Sequence, residues 1–138
     1  MDKQLPIIFL DFDGVLNHQL HFQKVRLEKK SRKDEELSPE SIKLLNTLIK
    51  NTGAKVVVTS TWRLGRSVAE LQAILNGYGF EGEVIDKTPS YRSLEGIRVL
   101  RGNEILHWMG ENKALIGADY YDYKRYVILD DDSDMLYW

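Results

Sequence analysis

The sequence contains no cysteine, which excludes disulfides, thiolate zinc sites and thiol nucleophiles. That fits a reducing compartment. It also lacks a long hydrophobic run. The first apolar stretch, Leu5 to Leu10, is too short to span a membrane and ends in acid. No small-residue cleavage tail follows it, so it does not read as a signal peptide. A cytoplasmic location is expected, with no membrane partner. Neither sign of charge dominates: the formal net charge is -2, so the whole chain makes no electrostatic case for nucleic acid. Room remains for a local basic patch. Repeats, low-complexity tracts and linkers are also missing.

What is present is an ordinary globular balance, 43% hydrophobic and 29% charged over 138 residues. That length suits a single domain, 1–138, able to bury a core without staples. Ile7 to Leu10 reads as a buried strand that stops at Asp11-Phe12-Asp13-Gly14. Residues 17–37 are polar and charged and are expected to form a loop or small flap. A helix should start after Ser38, a capping residue, with Pro39 first and Glu40 facing the positive dipole end. Ile42, Leu45, Leu48 and Ile49 give it one apolar stripe, and Gly53 ends it. Lys55 to Thr59 is a second buried strand. Val68, Leu71, Ile74 and Leu75 mark a helix stopped by Gly77. Val84 to Asp86 is a short strand. A third helix is expected from Glu104 to Met109, stopped by Gly110, and a last strand from Tyr126 to Leu129. Strands alternating with helices predict an α/β fold with a mainly parallel sheet.

In such sheets the site lies beyond the carboxyl ends of the strands. Here those ends carry Asp11 and Asp13, then Thr59-Ser60-Thr61, then Asp130-Asp131-Asp132. Period two sends Asp11 and Asp13 to one side, where the acidic run from Asp130 to Asp134 can join them. Two carboxylates about 4 Å apart repel by roughly 4 kcal/mol at an effective dielectric near 20, so such a cluster calls for a cation. All-oxygen ligands favour Mg²⁺. A hydroxyl at the end of the second strand can donate to a phosphate oxygen. A cation such as Arg101 can neutralise developing charge. Ser60 competes with Thr59 for the hydroxyl role, and Lys87 and Lys113 compete with Arg101. Nucleophile, metal, hydroxyl and cation together make a set for phosphoryl transfer.

Asp11-Phe12-Asp13-Gly14-Val15 closely resembles the first motif of the haloacid dehalogenase-like (HAD) superfamily. Val56 to Ser60 resembles the second motif. Arg101-Gly102-Asn103-Glu104-Ile105-Leu106 resembles the third, with arginine in place of lysine. Val127 to Asp131 resembles the fourth. The longer strings Phe9 to Asn17, Thr59 to Arg63, Arg101 to Ile105 and Leu129 to Asp132 are similar to HAD domains of Swiss army knife RNA repair proteins.

The resemblance implies a three-layer Rossmann-like fold with a minimal cap or none. It implies a Mg²⁺-dependent phosphatase in which Asp11 forms an aspartyl-phosphate and Asp13 serves as acid, then base. Thr59 and Arg101 would hold the transferring group. Asp11, the Asp13 backbone carbonyl and Asp131, with Asp130 or Asp134 as alternatives, would hold the metal. Ser60 and Gly14 fall on the substrate side, and Arg63, close after the second strand, is positioned in sequence to clamp a phosphate. The expected partner is a phosphorylated substrate: a nucleic-acid end, a nucleotide or another phosphomonoester. Lys24, Arg26, Lys29, Lys30, Arg32 and Lys33 are candidate phosphate contacts, and His18 and His21 candidate substrate contacts.

Family members usually add a strand and a helix after the fourth motif. This sequence runs only eight residues past Asp130, so a truncated or abbreviated sheet edge is expected. Three rivals stand beside the enzyme. One is a HAD-like module that binds a phosphorylated ligand or protein without turnover. Another is a phosphoacceptor receiver domain, although there the acidic pair and the acceptor belong to different strands. The third is a calcium loop at Asp130, Asp132 and Asp134, although Met135 stands where glycine is required. Trp62 and Trp108 read as core or cover, and His107 as packed on its helix.

Overall fold

The structure, a computed structural model, describes residues 5–17, 37–91, 99–117 and 123–132. Four strands form one sheet: β1 (Ile7–Leu10), β2 (Lys55–Val58), β3 (Val84–Lys87) and β4 (Tyr126–Leu129). Their order is β3-β2-β1-β4 and each pairing is parallel. β1 is central, with Leu10 level with Val58 on one side and Leu129 on the other. The last residues of three strands therefore lie side by side.

The helices are α1 (Pro39–Thr52), α2 (Val68–Gly77), α3 (Arg101–Glu111) and the short α4 (Lys113–Ile116). Ser38 caps α1 by accepting from Ser41 N, and Gly53 closes it at φ +70°. α2 opens on a capping box between Ser67 and Glu70. Alternate residues of the strands enter two cores. Ile8, Leu10, Val56 and Val58 pack with Ile42, Leu45, Leu71 and Leu75. Ile7, Phe9 and Val57 pack with Ile105, Trp108, Met109 and Tyr123 on the other face. Burial on both faces is why β1 reads as an unbroken apolar run. The architecture is α/β, a parallel sheet between two helical layers.

Three helix boundaries differ from the sequence reading. α3 starts at Arg101, three residues before Glu104, with Leu100 at its N-cap and no side-chain cap. It also passes through Gly110, because no left-handed residue is used there. The chain continues into α4, and Gly117 at φ +74° makes the stop. Gly77 is the last residue of α2 rather than the residue beyond it. The expected flap lies almost wholly outside the described residues. Its two ends are joined, since Ser38 N donates to Leu16 O at 2.6 Å. His18, His21, the basic residues from Lys24 to Lys33, and Asp134 also lie outside the described residues.

Candidate functional site

Backbone pairing sets the frame of the site. Asp11 N donates to Leu129 O and Thr59 N to Leu10 O, both at 2.9 Å. The residues just past β1, β2 and β4 are thereby held together. Asp11, Asp130 and Asp131 each offer a carboxylate oxygen, and these atoms lie within 4.8 Å of one another. Arg101, at the first turn of α3, reaches this group from the side. Its Nη1 is 3.0 Å from Asp11 Oδ2 and 2.8 Å from Asp130 Oδ2. Lys87 instead donates to the backbone carbonyls of Arg63 and Arg66, and Lys113 opens α4.

Asp11 is buried, and its Oδ1 accepts from Phe12 N at 2.9 Å. Burial pushes its carboxyl above the usual carboxylate range. The Arg101 guanidinium opposes that shift, and the Asp130 charge adds to it. Three carboxylates against one guanidinium leave a formal charge of about -2 when all are ionised. A divalent cation fits that balance. The donors are all oxygen, which suits Mg²⁺.

Gly14 supplies a second sign that the space is shaped for this cluster. Its φ is +82°, and a Cβ there would sit 2.1 Å from Asp131 Oδ2. Only a residue without a side chain lets the turn and Asp131 approach this closely. Thr59 supplies a third. It is fully buried, and its Oγ1 has no hydrogen-bond partner, the single buried side-chain polar atom in that state among the described residues. A buried hydroxyl left unpaired is costly, and this one follows β2, level with the Leu10–Asp11 step of β1, with its donor unused. Ser60 differs from it: its Oγ accepts from Trp62 N and caps the 3₁₀ turn Thr61–Arg63.

The period-two expectation for Asp13 is corrected. β1 ends at Leu10, and Asp13 lies in the turn that follows, so strand alternation no longer governs its direction. Its carboxylate is exposed and accepts from Asn17 Nδ2 at 3.0 Å and Trp62 Nε1 at 3.3 Å. It is not among the clustered carboxylates. Asn17 also accepts from Gly14 N at 2.9 Å, so one side chain braces the whole turn. Asp132 N donates to Asp130 Oδ1, and among the described residues of the acidic run Asp130 and Asp131 join the cluster while Asp132 supports Asp130.

Arg63 also departs from expectation. Its side chain is 5% exposed and turns inward. Nε donates to Thr88 O, Nη1 to Thr59 O and Ser60 O, and Nη2 to Pro89 O and Glu104 Oε1. These five contacts match the five donors of a guanidinium, which leaves none for a phosphate. Burial lowers its pKa, and the Glu104 carboxylate beside it opposes that. Trp62 packs edge-on against Phe12, and Trp108 against Phe9, as core and cover. His107 is half-exposed, with its ring against Tyr91.

Sequence reasoning gave no role to Glu104, to Asn17 or to the Trp62 indole. Asn17, four residues after Asp13 at the end of the first motif, offered a local signal. Glu104 and Trp62 offered none, because their partners are 41 and 49 residues away.

No helix among the described residues is long and apolar enough to cross a membrane. No curated protein and no solved structure matches the sequence significantly. A family model described as the HAD domain in Swiss Army Knife RNA repair proteins matches residues 7–138. A HAD domain suggests a phosphatase-like hydrolase with a phosphorylated substrate, and the family is typically Mg²⁺-dependent. The match takes in all four strands and every residue of the acidic cluster, and by it this chain belongs to the HAD domain family of Swiss Army Knife RNA repair proteins.

Proposed function

We propose that the protein is a Mg²⁺-dependent phosphatase that transfers the phosphoryl group through an aspartyl-phosphate on Asp11. The observation that carries this reading is the meeting of Asp11, Asp130 and Asp131 within 4.8 Å, with Arg101 bridging two of them. The unpaired Thr59 hydroxyl and the Gly14 approach to Asp131 support it.

In the first step an Asp11 carboxylate oxygen bonds to phosphorus and the ester P–O bond breaks. Asp13 gives a proton to the departing oxygen. In the second step Asp13 takes a proton from water, which attacks phosphorus. The Asp11–phosphorus bond breaks and inorganic phosphate leaves. Thr59 Oγ1 donates to a phosphoryl oxygen, which satisfies that hydroxyl. Arg101 neutralises charge on the same group. Asp11, Asp130 and Asp131, with the Asp13 backbone carbonyl, would hold Mg²⁺. When bound, the ion offsets carboxylate repulsion and orients the phosphoryl oxygens. The substrate is a phosphomonoester. The family description favours a phosphorylated nucleic-acid end or a nucleotide. A cytoplasmic location belongs to the same reading.

The test is phosphate release from an aryl phosphate with Mg²⁺, with EDTA, and with Asp11→Asn. Release that needs Mg²⁺ and Asp11 is the expected result. Tight binding of a phosphorylated ligand, with no turnover by wild type, would favour a non-catalytic module instead. Oligonucleotides phosphorylated at either end, compared with nucleotides, then separate the substrate classes.

A further inference from the structure

The Arg63–Glu104 ion pair is buried on both sides, with side chains 5% and 7% exposed. Neither residue touches the clustered carboxylates, yet each holds an element that supplies the site. Arg63 Nη1 donates at 2.6 Å to Thr59 O and at 2.9 Å to Ser60 O, the backbone that places the Thr59 hydroxyl. Glu104 lies one turn along α3 from Arg101. Its other oxygen accepts from Tyr91 N at 2.8 Å. Arg63 also holds Thr88 O and Pro89 O, past the end of β3. One planar fork thus joins the ends of β2 and β3 to the first turns of α3. A lysine, a point charge with three donors on a flexible stem, cannot span these acceptors together.

We propose that Arg63 is a positioning residue, which through Glu104 sets the spacing between the Thr59 hydroxyl and Arg101 so that both meet one phosphoryl group. The proposal rests on the phosphatase reading above. Thr59 and Arg101 come from elements 42 residues apart in sequence. Arg101 ties α3 to the ends of β1 and β4 through Asp11 and Asp130, and the Arg63–Glu104 pair ties it to the end of β2, which carries Thr59. A slip of about 1 Å between catalytic groups costs on the order of 100-fold in rate.

The experiment compares wild type, Arg63→Lys and Glu104→Gln, each alone and with Arg101→Ala, using an aryl phosphate and Mg²⁺ below the melting temperature of every variant. Arg63→Lys is expected to lower kcat about 100-fold with KM changed by less than about threefold. In the Arg101→Ala background the same change should cost less than about threefold, because the spacing it guards no longer matters. If Arg63→Lys does not fold, Glu104→Gln, which keeps shape and the Tyr91 contact, is read in the same way. Wild-type kcat in a folded variant, or additive losses, overturns the proposal. Failure of both variants to fold assigns the pair to stability alone and also overturns it.

Wild-type turnover that survives Asp11→Asn, or no turnover at all, would sink the phosphatase reading instead. Calorimetric binding of inorganic phosphate with Mg²⁺ then decides the spacing. Affinity about tenfold weaker in Arg63→Lys is expected. Equal affinity, or no binding by wild type, overturns the proposal.

Discussion

Replacing Gly14 by alanine adds one methyl group at φ +82°, with the new Cβ 2.1 Å from Asp131 Oδ2 and 2.3 Å from its Cγ. The left-handed backbone alone costs an alanine about 1 kcal/mol. The overlap adds a demand that Asp131 retreat by about 1 Å or more, the distance to ordinary van der Waals contact. Asp131 is exposed, so its carboxylate can swing outward, while its Cβ, 2.9 Å from the added methyl carbon, requires a small backbone shift that the fold survives. We expect a stability loss of about 1–2 kcal/mol and a Tm lower by roughly 3–6 °C. The larger effect falls on the metal. With one of three carboxylates turned away, Mg²⁺ affinity should fall about 10- to 100-fold. Isothermal titration with Mg²⁺ reads this without any substrate. Gly53→Ala is the matched control, because Gly53 has φ +70° but nothing within 4 Å of its added Cβ. It should incur the same backbone strain, a stability loss of about 1 kcal/mol, and bind Mg²⁺ as wild type does. Equal Mg²⁺ affinity in Gly14→Ala and Gly53→Ala would refute the assignment of Asp131 to the metal.

Thr59→Val removes a buried hydroxyl with no partner, so melting should show stability unchanged or raised by about 1 kcal/mol, while kcat/KM falls about 100-fold; a clear drop in Tm would show that the hydroxyl is paired. Tyr123, buried with its hydroxyl donating to Leu5 O, has its pKa pushed from 10.0 up to about 12, chiefly by burial. The unfolded chain therefore loses this proton first. The stabilisation, roughly 3 kcal/mol at most, is complete below pH 10 and disappears as pH rises towards 12. Denaturant titrations across that window should show the loss in wild type and a flatter profile in Tyr123→Phe. Ser67→Ala breaks the capping box of α2 and should cost about 1 kcal/mol in melting experiments without changing kcat/KM, since α2 gives no residue to the site.

The strands were legible because each short apolar run is buried on both faces, as the two cores flanking β1 show. α1 was legible from its local cap signals, Ser38, Pro39 and Gly53. The start of α3 was not, because Leu100 gives no capping side chain to announce it. At the site, the motifs placed Asp11, Thr59, Arg101, Asp130 and Asp131 at strand or helix ends, and geometry followed. Side-chain direction did not follow for Asp13 and Arg63. A residue in a turn escapes strand alternation, and an arginine's five donors take whichever acceptors the fold packs around them.

What the sequence alone determined is therefore the alternation of strands and helices, the parallel sheet that gathers strand ends at one edge, and the family. Those depend on periodicity and on local motifs, which are written along the chain. Tertiary structure decided which acids meet, which hydroxyl is left unpaired and which arginine faces the carboxylates. Contacts such as Arg101 with Asp11, 90 residues apart, and Arg63 with Glu104, 41 apart, depend on how β-strand ends and the first turn of α3 are packed. No local pattern records that distance, because charge and hydrogen-bonding capacity say what a side chain needs and leave open which neighbour supplies it.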